Sequence, residues 1–276
     1  MKGKLYVVAT PIGNLQDITL RALETLKKVN FIACEDTRNT RKLLNYYGIE
    51  KKKLISYHDY NEEKVSTKVF RILDKEDVAL VSDAGTPCIS DPGYRIVNLC
   101  RKKGVEVVPI PGPFAAAVAL STSGLPTDKF LFVGFLNQKD AKRGQQLRDY
   151  IELGYTFVIY ESPKRVLETV KEIQNIDREA DVVIAKELTK VHEKFIHGKV
   201  GEVLNYLEKE LDLLRGEFVI IVTPSRVEKS VDIDDNILNL LNAGKTVKEI
   251  VTILSEKFNI PKNRVYKRVL EIKGQH

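Results

Sequence analysis

The sequence of 276 residues is poor in cysteine. Its three cysteines, Cys34, Cys88 and Cys100, are an odd number and include no Cys-x-x-Cys pair. This scarcity argues against a disulfide framework and against a cysteine-ligated zinc site. It predicts a protein of a reducing compartment, the cytoplasm.

Long apolar runs are also missing. The first residues contain too short an apolar stretch for a signal peptide. The least charged segment, residues 107–127, is interrupted by prolines and glycines, so it cannot form a membrane-spanning helix. The sequence therefore predicts no membrane association.

Several common site motifs are absent. There is no GxGxxG for a dinucleotide and no GxSxG for a hydrolase nucleophile. His192, Glu193 and His197 resemble HExxH, but the second histidine is five positions after the first instead of four. Their rings would not share one helix face, so we expect no metal site.

What is present is typical of a globular protein, with 30% charged and 43% hydrophobic residues. The length predicts about two domains. The net charge of +6 is compatible with a polyanionic partner but does not require one.

Short apolar runs alternate with amphipathic helical patterns along most of the chain. Their lack of period-two alternation predicts strands that are covered on both faces, and hence an α/β fold. The predicted strands lie at 5–9, 31–34, 78–82, 105–110, 130–134, 156–160, 181–185 and 217–222. The predicted helices between them lie at 20–29, 66–75, 94–103, 164–174 and 201–211. Two more are expected, one after the EDT turn and one of small residues after the PGP turn.

The loops that follow these strands are rich in glycine, proline and carboxylates. They read TPIGN, EDTR, DAGTP, PGP, ESP, KELT and TPS. Ligands of open α/β sheets bind outside the carboxyl ends of the strands, so these loops predict one large site. The alternative is that they are ordinary turns.

The last fifty residues differ from the rest. A polar linker at 225–235 precedes helical patterns at 236–244, 246–258 and 261–273. Thr246 is a predicted N-cap with Glu249 as its reciprocal partner. The segment FNIPK between the last two patterns resembles a helix-turn-helix. The last pattern is basic, which indicates nucleic-acid docking; a solvated basic face is the alternative.

Seven motifs occur in a recognisable order. They are LYVVATPIGNLQD, CEDTRNTRKLL, SDAGTPCISDPG, PGPFAAAVALSTSGLP, ESPKR, AKELTK and GEFVIIV. Together they resemble the bacterial small-subunit ribosomal RNA (cytidine-2′-O)-methyltransferases of the tetrapyrrole methylase superfamily. The resemblance runs from about residue 5 to residue 222, and the terminal helices resemble that family's C-terminal helix-turn-helix.

The resemblance implies two α/β domains, at residues 1–112 and 113–225, with S-adenosylmethionine in the cleft between them. A helix-turn-helix-like segment at 226–276 would dock RNA, and the enzyme would be a homodimer. The implied reaction is 2′-O-methylation of a cytidine of 16S ribosomal RNA in the decoding centre of the small ribosomal subunit. Methylation of a small tetrapyrrole and a non-catalytic, nucleic-acid-binding metabolite sensor remain alternatives.

The resemblance also assigns residues to the cofactor. The positions that match the family's cofactor loops are Pro11, Ile12, Gly13, Ala84, Gly85, Thr86, Ile89, Phe114, Ala115, Tyr160, Glu161 and Leu188. At Asn14 and Thr86 this sequence departs from the wider superfamily, which has aspartate at both positions.

Methyl transfer to a ribose hydroxyl requires a group that takes the hydroxyl proton. The carboxylates that end predicted strands are the candidates, and we predict Glu35 and Asp83 first. Each could instead cap a helix or pair with an arginine. No metal is needed for this displacement.

Cations near the cleft and in the last helix are predicted to contact RNA phosphates. They are Arg38, Arg41, Lys42, Lys164, Arg165, Lys262, Arg264, Lys267 and Arg268.

Overall fold

The computed structural model describes residues 3–225, 233–258 and 262–273. The chain divides into two compact units, residues 1–225 and residues 226–276. The first unit contains two five-stranded sheets. The predicted domain boundary between residues 112 and 113 stays a prediction.

The first sheet is parallel throughout and has the strand order β3-β2-β4-β1-β5. Apolar side chains are buried on both of its faces, in two separate clusters. Its elements are β1 (Leu5–Val8), α1 (Leu20–Lys28), β2 (Phe31–Cys34), α2 (Thr37–Tyr46), β3 (Lys53–Ser56), α3 (Glu62–Ile72), β4 (Val78–Val81), α4 (Tyr94–Lys102) and β5 (Val107–Ile110).

The second sheet is mixed and has the order β6-β7-β10-β8-β9, in which only β6 and β7 are parallel. Its elements are α5 (Ala115–Ser123), β6 (Phe130–Phe135), α6 (Asp140–Leu153), β7 (Thr156–Glu161), α7 (Val166–Ile176), β8 (Asp181–Lys186), β9 (Lys194–Lys199), α8 (Val200–Lys209) and β10 (Phe218–Thr223). The predicted α/β class is confirmed.

Every predicted strand forms, but the sequence patterns missed β3, β9 and α6. β3 and β9 are edge strands, which are partly exposed and therefore carry lysines instead of a continuous apolar run. α6 buries Arg143 and Gly144 beside Leu147 and Ile151, so its buried face does not read as apolar. His197 lies on β9, which agrees with the rejection of HExxH as a helical zinc motif.

The second unit contains α9 (Asp234–Asn242), α10 (Val247–Phe258) and α11 (Lys262–Lys273) around their own apolar cluster. The predicted capping box is confirmed, because the Glu249 amide donates to Thr246 Oγ1 at 3.3 Å and the Thr246 amide donates to Glu249 Oε2 at 2.8 Å. Residues 226–232 of the predicted linker and 259–261 of the predicted turn lie outside the described residues. Among the helices that are described, none is both long and apolar enough to cross a membrane.

Candidate active site

Three loops of the first sheet meet because they leave the carboxyl ends of the adjacent strands β4, β1 and β5. Thr10 and Gly85 exchange backbone hydrogen bonds, at 2.8 Å from the Thr10 amide and 3.0 Å from the Gly85 amide. Thr86 Oγ1 donates to the Pro113 carbonyl at 3.0 Å, which joins the second loop to the third. The three loops therefore form one continuous rim.

The second sheet contributes the facing wall. β10 runs antiparallel to β7 and β8, so the start of β10 lies beside their carboxyl ends, with Phe218 opposite both Glu161 and Lys186. The Ala116 amide, in the first turn of α5, donates to the Tyr160 hydroxyl at 3.2 Å. This bond attaches the strand end to the helix that follows the third loop.

A second connection runs from the TPIGN loop to the loop after β8. The Asn14 amide donates to Thr189 Oγ1 at 2.9 Å. Gly13 is needed at this approach, because a β-carbon there would lie 2.8 Å from the Leu188 carbonyl oxygen. The close contact of the two loops thus depends on the missing side chain.

A cavity of about 310 Å³ lies between these loops and strand ends. Of the twelve residues predicted to bind the cofactor, ten line it. They are Ile12, Ala84, Gly85, Thr86, Ile89, Phe114, Ala115, Tyr160, Glu161 and Leu188. Pro11 is buried but is not part of this lining. Gly13 is exposed to solvent and lies next to the loop after β8.

The predictions missed the other lining residues, which are Ser90, Asp91, Phe135, Ser162, Pro163, Ala185, Gly216, Glu217, Phe218 and Val219. Most belong to the motifs SDAGTPCISDPG, ESPKR and GEFVIIV, so the motifs marked the segments but not the individual side chains. For Phe135, which ends β6, the sequence contains no comparable signal.

Aromatic rings form one side of the cavity. Phe132 packs edge-on against Phe114, with ring centroids 5.3 Å apart, and against Tyr160, at 5.0 Å. Phe135 packs against Tyr160 at 5.7 Å. Burial raises the pKa of Tyr160 to about 12, so its phenol keeps its proton at neutral pH. Because its oxygen accepts from Ala116, the hydroxyl hydrogen remains available as a donor.

The carboxylates differ sharply in their partners. Asp83 accepts from the Asp36 amide at 3.0 Å and from Asn39 Nδ2 at 2.8 Å. These bonds attach the loop after β4 to the start of α2. Burial, and then the charge of Asp83, raise the pKa of Glu35. Neither Glu35 nor Asp83 belongs to the cavity lining that the described residues form.

Asp91 is a carboxylate that does line the cavity. Burial raises its pKa to about 6, and the negative charges of Glu35, Asp83 and Asp59 act in the same direction. Glu161 also lines the cavity, but its carboxylate accepts from Ser162 N and Thr169 Oγ1 and lies 2.6 Å from Arg165 Nη2.

The predicted RNA-contacting cations fall into two groups. Arg41, Lys42, Lys164, Lys262 and Lys267 are exposed and form no ion pair with any residue that the structure describes. Three arginines are paired: Arg38 with Asp36, Arg165 with Glu161, and Arg268 with Asp234 and Glu271. The side chain of Arg264 lies outside the described part of the chain.

Comparisons with known proteins agree on one family. Residues 4–204 match the family model of Tetrapyrrole (Corrin/Porphyrin) Methylases. The chain is 42% identical over 278 residues to the ribosomal RNA small subunit methyltransferase I of Escherichia coli O157:H7, a match that covers 99% of this chain and 96% of that protein. It is 47% identical over 221 residues to the protein of the same name from Hydrogenobaculum sp., a match that covers 80% of this chain and 95% of that protein.

Solved structures with low sequence identity share the fold. A diphthine synthase superimposes with a TM-score of 0.63 at 13% identity and covers 80% of this chain and 90% of its own. The uroporphyrin-III C-methyl transferase of Thermus thermophilus, solved as a complex with S-adenyl homocysteine, superimposes with a TM-score of 0.56 at 20% identity. That match covers 79% of this chain and 97% of the other.

Proposed function

Because the chain belongs to the tetrapyrrole methylase family, and within it to the ribosomal RNA small subunit methyltransferases I, we propose that it transfers a methyl group from S-adenosylmethionine to ribosomal RNA. The proposal depends most on one observation. Six of the seven motifs that resemble that family contribute residues to the lining of one cavity.

The cavity suits this cofactor. Its volume of about 310 Å³ is at the lower end of the usual range for small-molecule sites. Ile12, Phe114, Leu188 and Val219 provide apolar surface for an adenine ring. Asp91 provides a negative charge in a cavity that would receive a sulfonium cation.

The cofactor supplies an activated methyl group, and the chain supplies position and proton handling. The three loops of the first sheet and the strand ends of the second orient the two reactants, because they are joined by hydrogen bonds and by the contact at Gly13. The aromatic rings of Phe114, Phe135 and Tyr160 provide apolar surface on one side of the cavity. The Tyr160 hydroxyl can donate a hydrogen bond into the cavity.

The finer substrate assignment is part of this proposal. The acceptor is the 2′-hydroxyl of a cytidine in the decoding centre of the small ribosomal subunit, as the resemblance implies. The exposed cations Arg41, Lys42 and Lys164 of the first unit, and Lys262 and Lys267 of the second, are available for phosphates. The homodimer and the cytoplasmic location stay predictions, and sedimentation would test the first.

A methyl-transfer assay with labelled S-adenosylmethionine tests the proposal. The acceptors are small ribosomal subunits from a strain that lacks this protein, naked small-subunit RNA and a porphyrin precursor. We expect label on one cytidine 2′-oxygen of the small-subunit RNA. Label on the porphyrin precursor alone would indicate a tetrapyrrole methylase, and cofactor binding without any transfer would indicate a metabolite sensor.

A further inference from the structure

Asp91 is chemically distinct from the other carboxylates of the cavity. Glu161 is paired with Arg165, and Glu217 lies 2.8 Å from Lys190 Nζ. Asp91 forms no ion pair with any residue that the structure describes. Ser82, whose hydroxyl donates to the Ala84 carbonyl at 3.2 Å, favours the charged form of Asp91. Asp91 is therefore the carboxylate whose acceptor capacity remains largely free for a group bound in the cavity.

The loop that carries Asp91 is held on both sides. Cys88 and Ser90 adopt left-handed backbone conformations, with φ of 71° and 60°, although neither is glycine. Such conformations persist where the surroundings enforce them. Ser90 presses against β6 at Gly134, where a β-carbon would lie only 2.5 Å from Ser90 Oγ. On the other side, Glu62 Oε1 accepts from the Gly93 amide at 3.0 Å. The backbone on both sides of Asp91 is consequently held in place.

The surroundings of Asp91 suit a group that gains and loses a proton. Burial and the carboxylates of Glu35, Asp83 and Asp59 disfavour its charge, and the Ser82 side chain favours it. Cys88 and Tyr160 also interact electrostatically with Asp91. A base with a pKa of about 6 is largely ionised at neutral pH and still a useful proton acceptor.

We propose that Asp91 is the general base of the reaction, an inference that rests on the proposed function. The ribose oxygen forms a bond to the methyl carbon, and the hydroxyl proton passes to an Asp91 carboxylate oxygen. The carbon–sulfur bond breaks, and its electron pair stays on sulfur, which becomes neutral. Asp91 then releases the proton to water, so charge and atoms balance.

The test compares the wild type with Asp91→Asn in single-turnover methylation of small ribosomal subunits, at saturating S-adenosylmethionine and from pH 5 to pH 8. The wild-type rate should fall below a pH of about 6, as the carboxylate becomes protonated. Asp91→Asn should be slower by about 10²–10⁴-fold and lose this pH dependence. Calorimetry should show that the variant still binds S-adenosylmethionine.

Asp59→Asn is the matched control, because Asp59 is exposed, faces Asp91 and does not line the cavity. This variant should keep the wild-type maximum rate, and its rate should begin to fall at a lower pH than that of the wild type. An Asp91→Asn enzyme that keeps the wild-type rate at saturating cofactor would overturn the inference, even if cofactor binding is weaker. A wild-type enzyme that methylates none of the RNA acceptors would instead overturn the proposed function.

Discussion

At the scale of single residues, the site depends on buried polar groups whose partners are fully specified. Glu161 is 2% exposed, and its carboxylate has Arg165, Ser162 and Thr169 as partners. A buried carboxylate with three partners holds them in place, because a partner that moved away would leave a buried polar group without a hydrogen bond. Its role is therefore to position the end of β7 at the cavity.

Replacing Glu161 with Gln should lower the free energy of unfolding by about 3 kcal/mol, since Arg165 would keep a partly buried charge without its partner. Chemical denaturation at pH 7.5 measures this change. Glu208→Gln is the control, because Glu208 and Lys171 form an ion pair in which both side chains are about half exposed. That change should cost at most about 1 kcal/mol. Equal losses would show that Glu161 is not structurally important.

A second prediction at this scale concerns how Asp91 affects stability as the pH changes, and it does not depend on activity. Its folded-state pKa of about 6 lies above the ordinary value of an aspartate, so the folded state binds the proton more tightly than the unfolded state. Its contribution to stability is present at low pH and is lost as the pH rises through about 6. Asp91→Asn should therefore be more stable than the wild type at pH 7.5.

Denaturation curves at pH 4 and pH 7.5 check this sign. The advantage of Asp91→Asn should shrink as the pH falls, because the wild-type carboxylate becomes neutral as well. A constant difference between the two proteins across this range would contradict the raised pKa.

At the scale of elements, a helix can begin with a cap from another helix. α4 begins after Gly93, which has no side chain to cap it. Glu62, at the start of α3, takes that place and accepts from the amides of Gly93 and Arg95, both at 3.0 Å. It also accepts from the Tyr57 hydroxyl at 3.0 Å. The same carboxylate thus joins α3, α4 and the end of the loop that contains Asp91.

Replacing Glu62 with Ala should lower the free energy of unfolding by about 2–4 kcal/mol, since buried donors would lose their acceptor. Cofactor affinity should fall as well, because the loop at 82–93 would lose an anchor. Glu63→Ala, at the exposed neighbouring position, should stay within about 0.5 kcal/mol of the wild type. Denaturation and calorimetry measure the two effects, and similar values for both variants would exclude a capping role for Glu62.

The burial of a strand or helix decides whether its sequence pattern predicts it. The central strands were predictable because they are buried on both faces and read as continuous apolar runs. The edge strands β3 and β9 were not, because an exposed edge tolerates lysines. The inner face of α6 did not read as apolar because it contains the buried Arg143, which pairs with the exposed carboxylates of Asp140 and Glu168.

At the scale of the whole molecule, the number of cations predicted to contact RNA overstates how many are free to do so. Several of the predicted phosphate-binding arginines are already paired within the fold. Arg268 Nε donates to Asp234 Oδ1 at 2.8 Å, and its Nη1 donates to Glu271 Oε2 at 2.8 Å. Lys267, its neighbour on α11, is exposed and has no ion-pair partner among the described residues. The two positions should therefore respond differently to substitution.

RNA affinity measured against salt concentration should separate them. Lys267→Ala should reduce the slope of log K against log[salt] by about 1, as expected for one lost phosphate contact. Arg268→Ala should leave the slope nearly unchanged and instead increase hydrogen exchange in α9 and α11. The opposite pattern would place Arg268 on the RNA and Lys267 away from it.

The sequence by itself determined the class of fold, the segments that form the cavity and the family, because periodicity and motif order are local properties of the chain. It did not determine which carboxylate faces the cavity. Asp83 and Asp91 stand in one motif, but Asp83 is held by Asp36 and Asn39, more than forty residues away, whereas Asp91 lines the cavity. Only the tertiary structure decides this, since the direction of each side chain is set by partners that are distant along the chain.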